Sequence, residues 1–169
     1  MDELTKVKYV LKMCGLPARY AEETYATTLL TKDKTATLRD SIFKIPQSAR
    51  LLVSGSAGPI VNQLINEMNK KVVGCSFTEY FESKLSNEPI SLPKASVVVI
   101  YSVGAEPARN KEFSTTILNS IIEFYRNNDT LLIFETPLTL TQFETTYGIS
   151  IPNKRQIKIK PSSDWVLAT

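Results

Sequence analysis

No histidine occurs in the 169 residues. The commonest general base and the commonest zinc ligand are therefore missing, which excludes histidine-based triads and mixed Cys/His metal sites. Cysteine is scarce as well. Cys14 and Cys75 fall on different predicted elements without C-x-x-C spacing, so they read as two buried thiols in a reducing cytoplasm. No run of ~18 apolar residues and no secretory apolar stretch is present, and a membrane span is not expected. Charge of one sign is also lacking, since a net charge of +3 is too small to announce a nucleic-acid protein. Its distribution is uneven: residues 101–150 carry three basic and six acidic side chains, and residues 151–169 carry four basic and one acidic.

What remains is the composition of a globular chain, 43% apolar and 22% charged, long enough to bury a core without disulfides. Leu4, Val7, Val10, Leu11 and Cys14 recur at helical spacing until Gly15 and Pro17 stop the pattern. Residues 18–49 have weak periodicity, with one further helix expected around 35–43 before Pro46. From residue 50 short apolar runs alternate with amphipathic stretches. Strands are predicted at 50–54, 72–77, 96–103 and 130–135. Helices are predicted at 59–70, from the Ser76/Glu79 capping spacing to Leu85, at 112–127, and from the Thr139/Gln142 box to Gly148. Gln156 to Lys160 alternates as an edge strand exposed on one face would. The fold class that follows is α/β: a three-layer arrangement, a parallel sheet with helices on both faces. Its organisation is a helix and linker over 1–49 packed on a core over 50–169.

Residues 51–62 have the layout of a phosphate-binding loop between strand and helix. The pattern G-x-x-x-x-G-K-[ST] needs a closing glycine, a lysine for charge and a hydroxyl for magnesium. Here Gly55 opens the loop and Gly58 follows, but Ile60, Val61 and Asn62 occupy the three closing positions. The loop keeps its place in the chain without the groups that hold phosphate, so no nucleotide cofactor is expected. Glu106 and Glu135 read as solvated carboxylates at strand ends, and Phe124, Tyr125 and Trp165 as packing residues.

The segment Ala95-Ser96-Val97-Val98-Val99-Ile100-Tyr101-Ser102-Val103-Gly104-Ala105-Glu106 resembles, without a gap, the Walker B segment of the DnaC, DnaI and IstB group of AAA+ ATPases, the bacterial helicase loaders and transposition helpers. In that group two aspartates stand at the positions of Tyr101 and Ser102. Cys14-Gly15-Leu16-Pro17-Ala18-Arg19-Tyr20 resembles the group's leading Gly-[Ile/Leu]-Pro-x-Arg-Tyr segment. Thr78 to Phe81 is similar to the helix after its second strand, and Ile121 to Asn128 to its Ile-Ile-x-x-Arg-Tyr-Asn-Asn helix end. Thr130 to Phe134 corresponds to its sensor strand, with Glu135 at the polar position that ends it.

The resemblance covers roughly residues 14–165 and implies a P-loop NTPase or AAA+-like core, here without a separate lid domain or an amino-terminal helicase-binding domain. With the lysine, hydroxyl and acids replaced by Val61, Asn62, Tyr101 and Ser102, it implies an inactive loader-like protein rather than an enzyme. That protein would serve replication, recombination or transposition, on a mobile element for instance, in the cytoplasm. Its expected partners are a helicase or an AAA+ ATPase, single-stranded DNA and further copies in an oligomer. Two alternatives stay open: a decoy that blocks a host loader or helicase, and a subunit that completes a partner's ATPase site with Arg109, Arg126 or Arg155. For DNA the candidate phosphate contacts are Arg109 and Lys111 after the Walker B-like strand, and Lys154, Arg155, Lys158 and Lys160 in the basic tail. Lys158 and Lys160 also suit an edge strand that must resist aggregation.

Overall fold

The computed structural model describes residues 1–27, 32–106 and 111–149, together with the backbone of 156–159 and 165–168. Helix α1 (Glu3–Met13) opens with Asp2, whose side chain accepts from the Thr5 amide. That bond holds the Asp2 carboxyl below its ordinary pKa. A short 3-10 helix (Ala18–Ala21), a second such turn (Tyr25–Thr27) and α2 (Lys32–Phe43) follow. The core then alternates β1 (Arg50–Ser54), α3 (Gly58–Asn66), β2 (Val72–Ser76), α4 (Phe77–Leu85), β3 (Val97–Tyr101), α5 (Lys111–Tyr125), β4 (Leu131–Thr136) and α6 (Leu140–Tyr147). Strands β5 (Gln156–Ile159) and β6 (Trp165–Ala168) complete the sheet.

The sheet order is β2-β3-β4-β1-β5-β6, parallel except for the antiparallel β5/β6 pair. The continuous apolar runs of β1, β3 and β4 are buried on both faces, as a parallel sheet between helical layers requires. Period-two alternation divides the core. Leu51, Val53, Val97, Val99, Leu131 and Ile133 pack with α1, α2 and α3. Leu52, Val98, Ile100, Leu132 and Phe134 pack with α4, α5 and α6 on the opposite face. The three-layer α/β architecture read from the sequence is the one observed.

Three local expectations are corrected. Helix α3 stops at Asn66, not 70, because the chain turns at Asn69 (φ 50°) and the Lys70 amide returns to the Leu64 carbonyl. Of the apolar positions on α1 only Leu11 is buried, while Leu4, Val7 and Val10 are exposed. Strand β5 is not an edge, since it lies between β1 and β6. An alternating pattern reports which faces of a strand are wet, not whether its second margin is paired.

Candidate functional site

Strand β1 leads through α3 to β2, across two intervening strands, whereas β4 leads through α6 to β5 on its other side. Connections that part in this way open a crevice beyond the carboxyl ends of β1 and β4, the usual ligand position in open α/β sheets. In register, Val53 faces Glu135 and Ser54 faces Thr136 across those two strands. Alternation puts Glu135 on the face of Leu131 and Ile133, beneath the 3-10 helix and α3.

The loop between β1 and α3 is only Gly55, Ser56 and Ala57, because the helix already starts at Gly58. Gly55 adopts φ 116°, a conformation that side chains oppose. Four amides of the loop and the start of α3 are spent within the protein. The Gly55 amide donates to the Thr136 carbonyl (2.8 Å) and the Val61 amide to the Ala57 carbonyl (2.9 Å). The Ala57 amide donates to Glu135 Oε2 (2.9 Å) and the Gly58 amide to Ser56 Oγ (3.1 Å).

Glu135 is 4% exposed, against the solvated carboxylate expected from sequence. It survives burial because cation and donors converge on it. Arg19 Nη2 reaches Oε1 at 2.6 Å and the Tyr20 hydroxyl donates to Oε2. Partial burial works most strongly against the Arg19 charge, and the Glu135, Tyr20 and Glu23 charges with the Glu135 hydrogen bond together outweigh it, so the guanidinium pKa lies above its ordinary value. Burial, followed by the Glu135 charge, pushes the Tyr20 phenol far up, and it remains a donor. Arg19 also contacts Glu23 Oε1 (3.2 Å) and Ser56 Oγ (3.1 Å), and Ser56 donates to Glu23.

Each residue singled out by the loop pattern has a local structural use. Asn62 Nδ2 donates to the carbonyls of Tyr20 (2.7 Å) and Glu23 (3.0 Å), tying the 3-10 helix to α3. Ile60 and Val61 are fully buried in the core. A Cβ on Gly58 would lie 2.6 Å from Glu23 Cβ and 2.7 Å from its Oε2, so glycine here admits the leading segment rather than a ligand. Tyr101 ends β3 on the crevice face. Burial first, then the charges of Glu79, Cys75 and Glu135, raise its phenol pKa, and Arg19 opposes them. Ser102 turns the chain with φ 62°. Glu106 takes a separate role: it accepts from the Gly104 amide (2.7 Å) and from the Tyr147 hydroxyl.

Among the basic candidates, Lys111 begins α5 and is exposed, and the backbone of Lys158 pairs within β5. Arg109, Lys154, Arg155 and Lys160, and the side chain of Lys158, lie outside the described residues. Arg126 is exposed and paired with Glu123 (3.1 Å). Tyr125 is buried, with its hydroxyl on the Pro93 carbonyl, while Phe124 is 41% exposed and meets Tyr125 edge-on. No group of three His, Cys, Asp or Glu side chains that could hold a metal occurs among the described residues. Nor is any helix among them long and apolar enough to cross a membrane.

Sequence spacing gives Arg19 and Tyr20 no task and does not single out Glu23. The available signal was Glu135 itself, the one carboxylate in an otherwise apolar core strand, which demands a cation nearby.

No protein-family profile and no curated protein matches the chain. A solved structure does: a candidate primosome component from Streptococcus pyogenes serotype M3, 9% identical, with a TM-score of 0.55 over 88% of this chain and 92% of that one. The likeness is one of fold, and the α/β architecture is consistent with the P-loop or AAA+-like core expected from the sequence.

Proposed function

We propose that this chain is a loader-like accessory factor of DNA replication, recombination or transposition that binds partners without binding or turning over nucleotide. The observation that carries the proposal is the state of the crevice. The amides of Gly55, Ala57, Gly58 and Val61 are committed to internal acceptors, and the position of the motif lysine is a core valine. Transfer of a phosphoryl group rests almost wholly on positioning and charge stabilisation. A loop that lacks the lysine, with its Ser56 hydroxyl and these amides already engaged within the protein, supplies neither. The resemblance of the leading segment, the Walker B-like strand and the α5 end to helicase loaders agrees with the fold match to a candidate primosome component.

On this reading partners are a helicase or an AAA+ ATPase, with single-stranded DNA held by Arg109, Lys111 and the basic tail. The test is Mg-ATP binding by calorimetry and turnover on the purified chain, alongside oligonucleotide binding across a salt series. Absence of ATP binding is expected, with single-strand affinity that falls steeply as salt rises. Magnesium-dependent turnover would overturn the inactive reading, and a flat salt response would remove the DNA contact. Mixing with an AAA+ partner then separates the alternatives: stimulated turnover marks a completing subunit, suppressed turnover a decoy.

A further inference from the structure

We infer that the crevice is an anion site whose ligand is the protein's own Glu135 carboxylate, and that this internal ligand latches the leading segment onto the β1–α3 loop. The inference rests on the geometry of the crevice and deepens the nucleotide-independent reading by naming what fills the position. Three donors from two parts of the chain meet one carboxylate: the Ala57 amide from the loop, and the Arg19 guanidinium and Tyr20 hydroxyl from the leading segment. They serve both oxygens, Oε1 taking the arginine and Oε2 the amide and phenol. This is the donor set of a carboxylate receptor, a half-exposed cation beside neutral donors around a carboxylate that is itself buried. The ligand happens to be tethered on β4.

The latch is backed by contacts that bring the segment to the same place. Asn62 holds the carbonyls of Tyr20 and Glu23, Ser56 donates to Glu23, and Gly58 leaves room for Glu23 against α3. Removing the carboxylate while keeping its donors must therefore leave a cavity that selects a free monoanion of the same shape.

The test is thermal unfolding of Glu135→Ala, Glu135→Gln and wild type in sodium formate, sodium acetate, sodium phosphate and sodium chloride at matched ionic strength. Glu135→Ala is expected to melt about 10 °C below wild type, because Arg19 loses its partner in a half-buried position. Formate is expected to restore more than half of that loss, in a saturable manner. Chloride and phosphate restore less, and none of the salts does as much for wild type. Glu135→Gln fills the space with a neutral amide, so it is expected to be destabilised and indifferent to formate. Should Glu135→Ala fail to fold in chloride, recovery of its native circular dichroism in formate gives the same reading. Equal response of all proteins to formate, or a Glu135→Gln variant as stable as wild type, overturns the inference. Mg-ATP binding by wild type would instead sink the nucleotide-independent reading, so the two failures are distinguishable.

Discussion

At the residue scale, the positions that depart from a phosphate-loop pattern have been absorbed into packing, and this decides what their reversal would do. Val61 is wholly buried, and Asn62 spends its amide on the Tyr20 and Glu23 carbonyls. The double substitution Val61→Lys with Asn62→Thr restores the motif's lysine and hydroxyl but not its closing glycine. It buries an ammonium in an apolar core and releases two carbonyls, at a cost of at least ~3 kcal/mol. Urea unfolding should show that loss, and calorimetry should show no gain of ATP affinity. Nucleotide binding by the double variant would mean that side-chain identity alone had silenced the loop. The crevice was only half legible in the sequence. Gly55, Ile60, Val61 and Asn62 announced the missing chemistry, but nothing in local spacing links Arg19 to Glu135, 116 positions away. A long-range ion pair leaves no periodic trace.

At the scale of elements, strands with continuous apolar runs and helices with caps were the readable ones. The Thr139/Gln142 box is formed on both sides, and Gly148 ends α6 in the left-handed region, as their spacing implied. Ser76 caps α4 through the Glu79 amide. Amphipathic spacing misled on α1, where three apolar positions face outward, because periodicity does not say whether a partner surface exists. The junction of α1 with β2 depends on two glycines, Gly15 and Gly74, whose close approach has no periodic signature. A Cβ on Gly74 would stand 2.8 Å from the Gly15 carbonyl oxygen and 2.6 Å from Leu16 Cδ2. Gly74→Ala should therefore cost about 2–3 kcal/mol through overpacking against backbone. Its denaturation midpoint reports that loss, and an unshifted midpoint would show that the junction is soft.

At the scale of the molecule, buried phenols give the stability a sign with respect to pH. Burial raises the pKa of Tyr20, Tyr25, Tyr125 and Tyr147 above the ordinary 10.0. Burial and the Glu79 charge raise the Cys75 thiol from 9.0 to about 11. Folded groups hold their protons when unfolded ones have lost them, so their contribution is complete below the unfolded values and declines as pH rises. Stability should begin to fall from about pH 9 and steepen beyond about pH 10, by up to ~1.4 kcal/mol per pH unit for each phenol. Urea unfolding at stepped pH, with phenolate absorbance followed in parallel, checks both onset and slope. The layered fold was legible because β1, β3 and β4 are sequestered on both faces. The sixth strand was not, being four residues with no alternation to mark it. The outer margin of β2 has a final consequence. There the Gly74 amide donates to the Cys14 carbonyl at 2.9 Å, so the end of α1 sits where a foreign strand would otherwise dock. Cutting away residues 1–16 would bare a valine-rich ribbon. Light scattering of the shortened chain should then reveal fibrous or amorphous clumping that the intact protein resists.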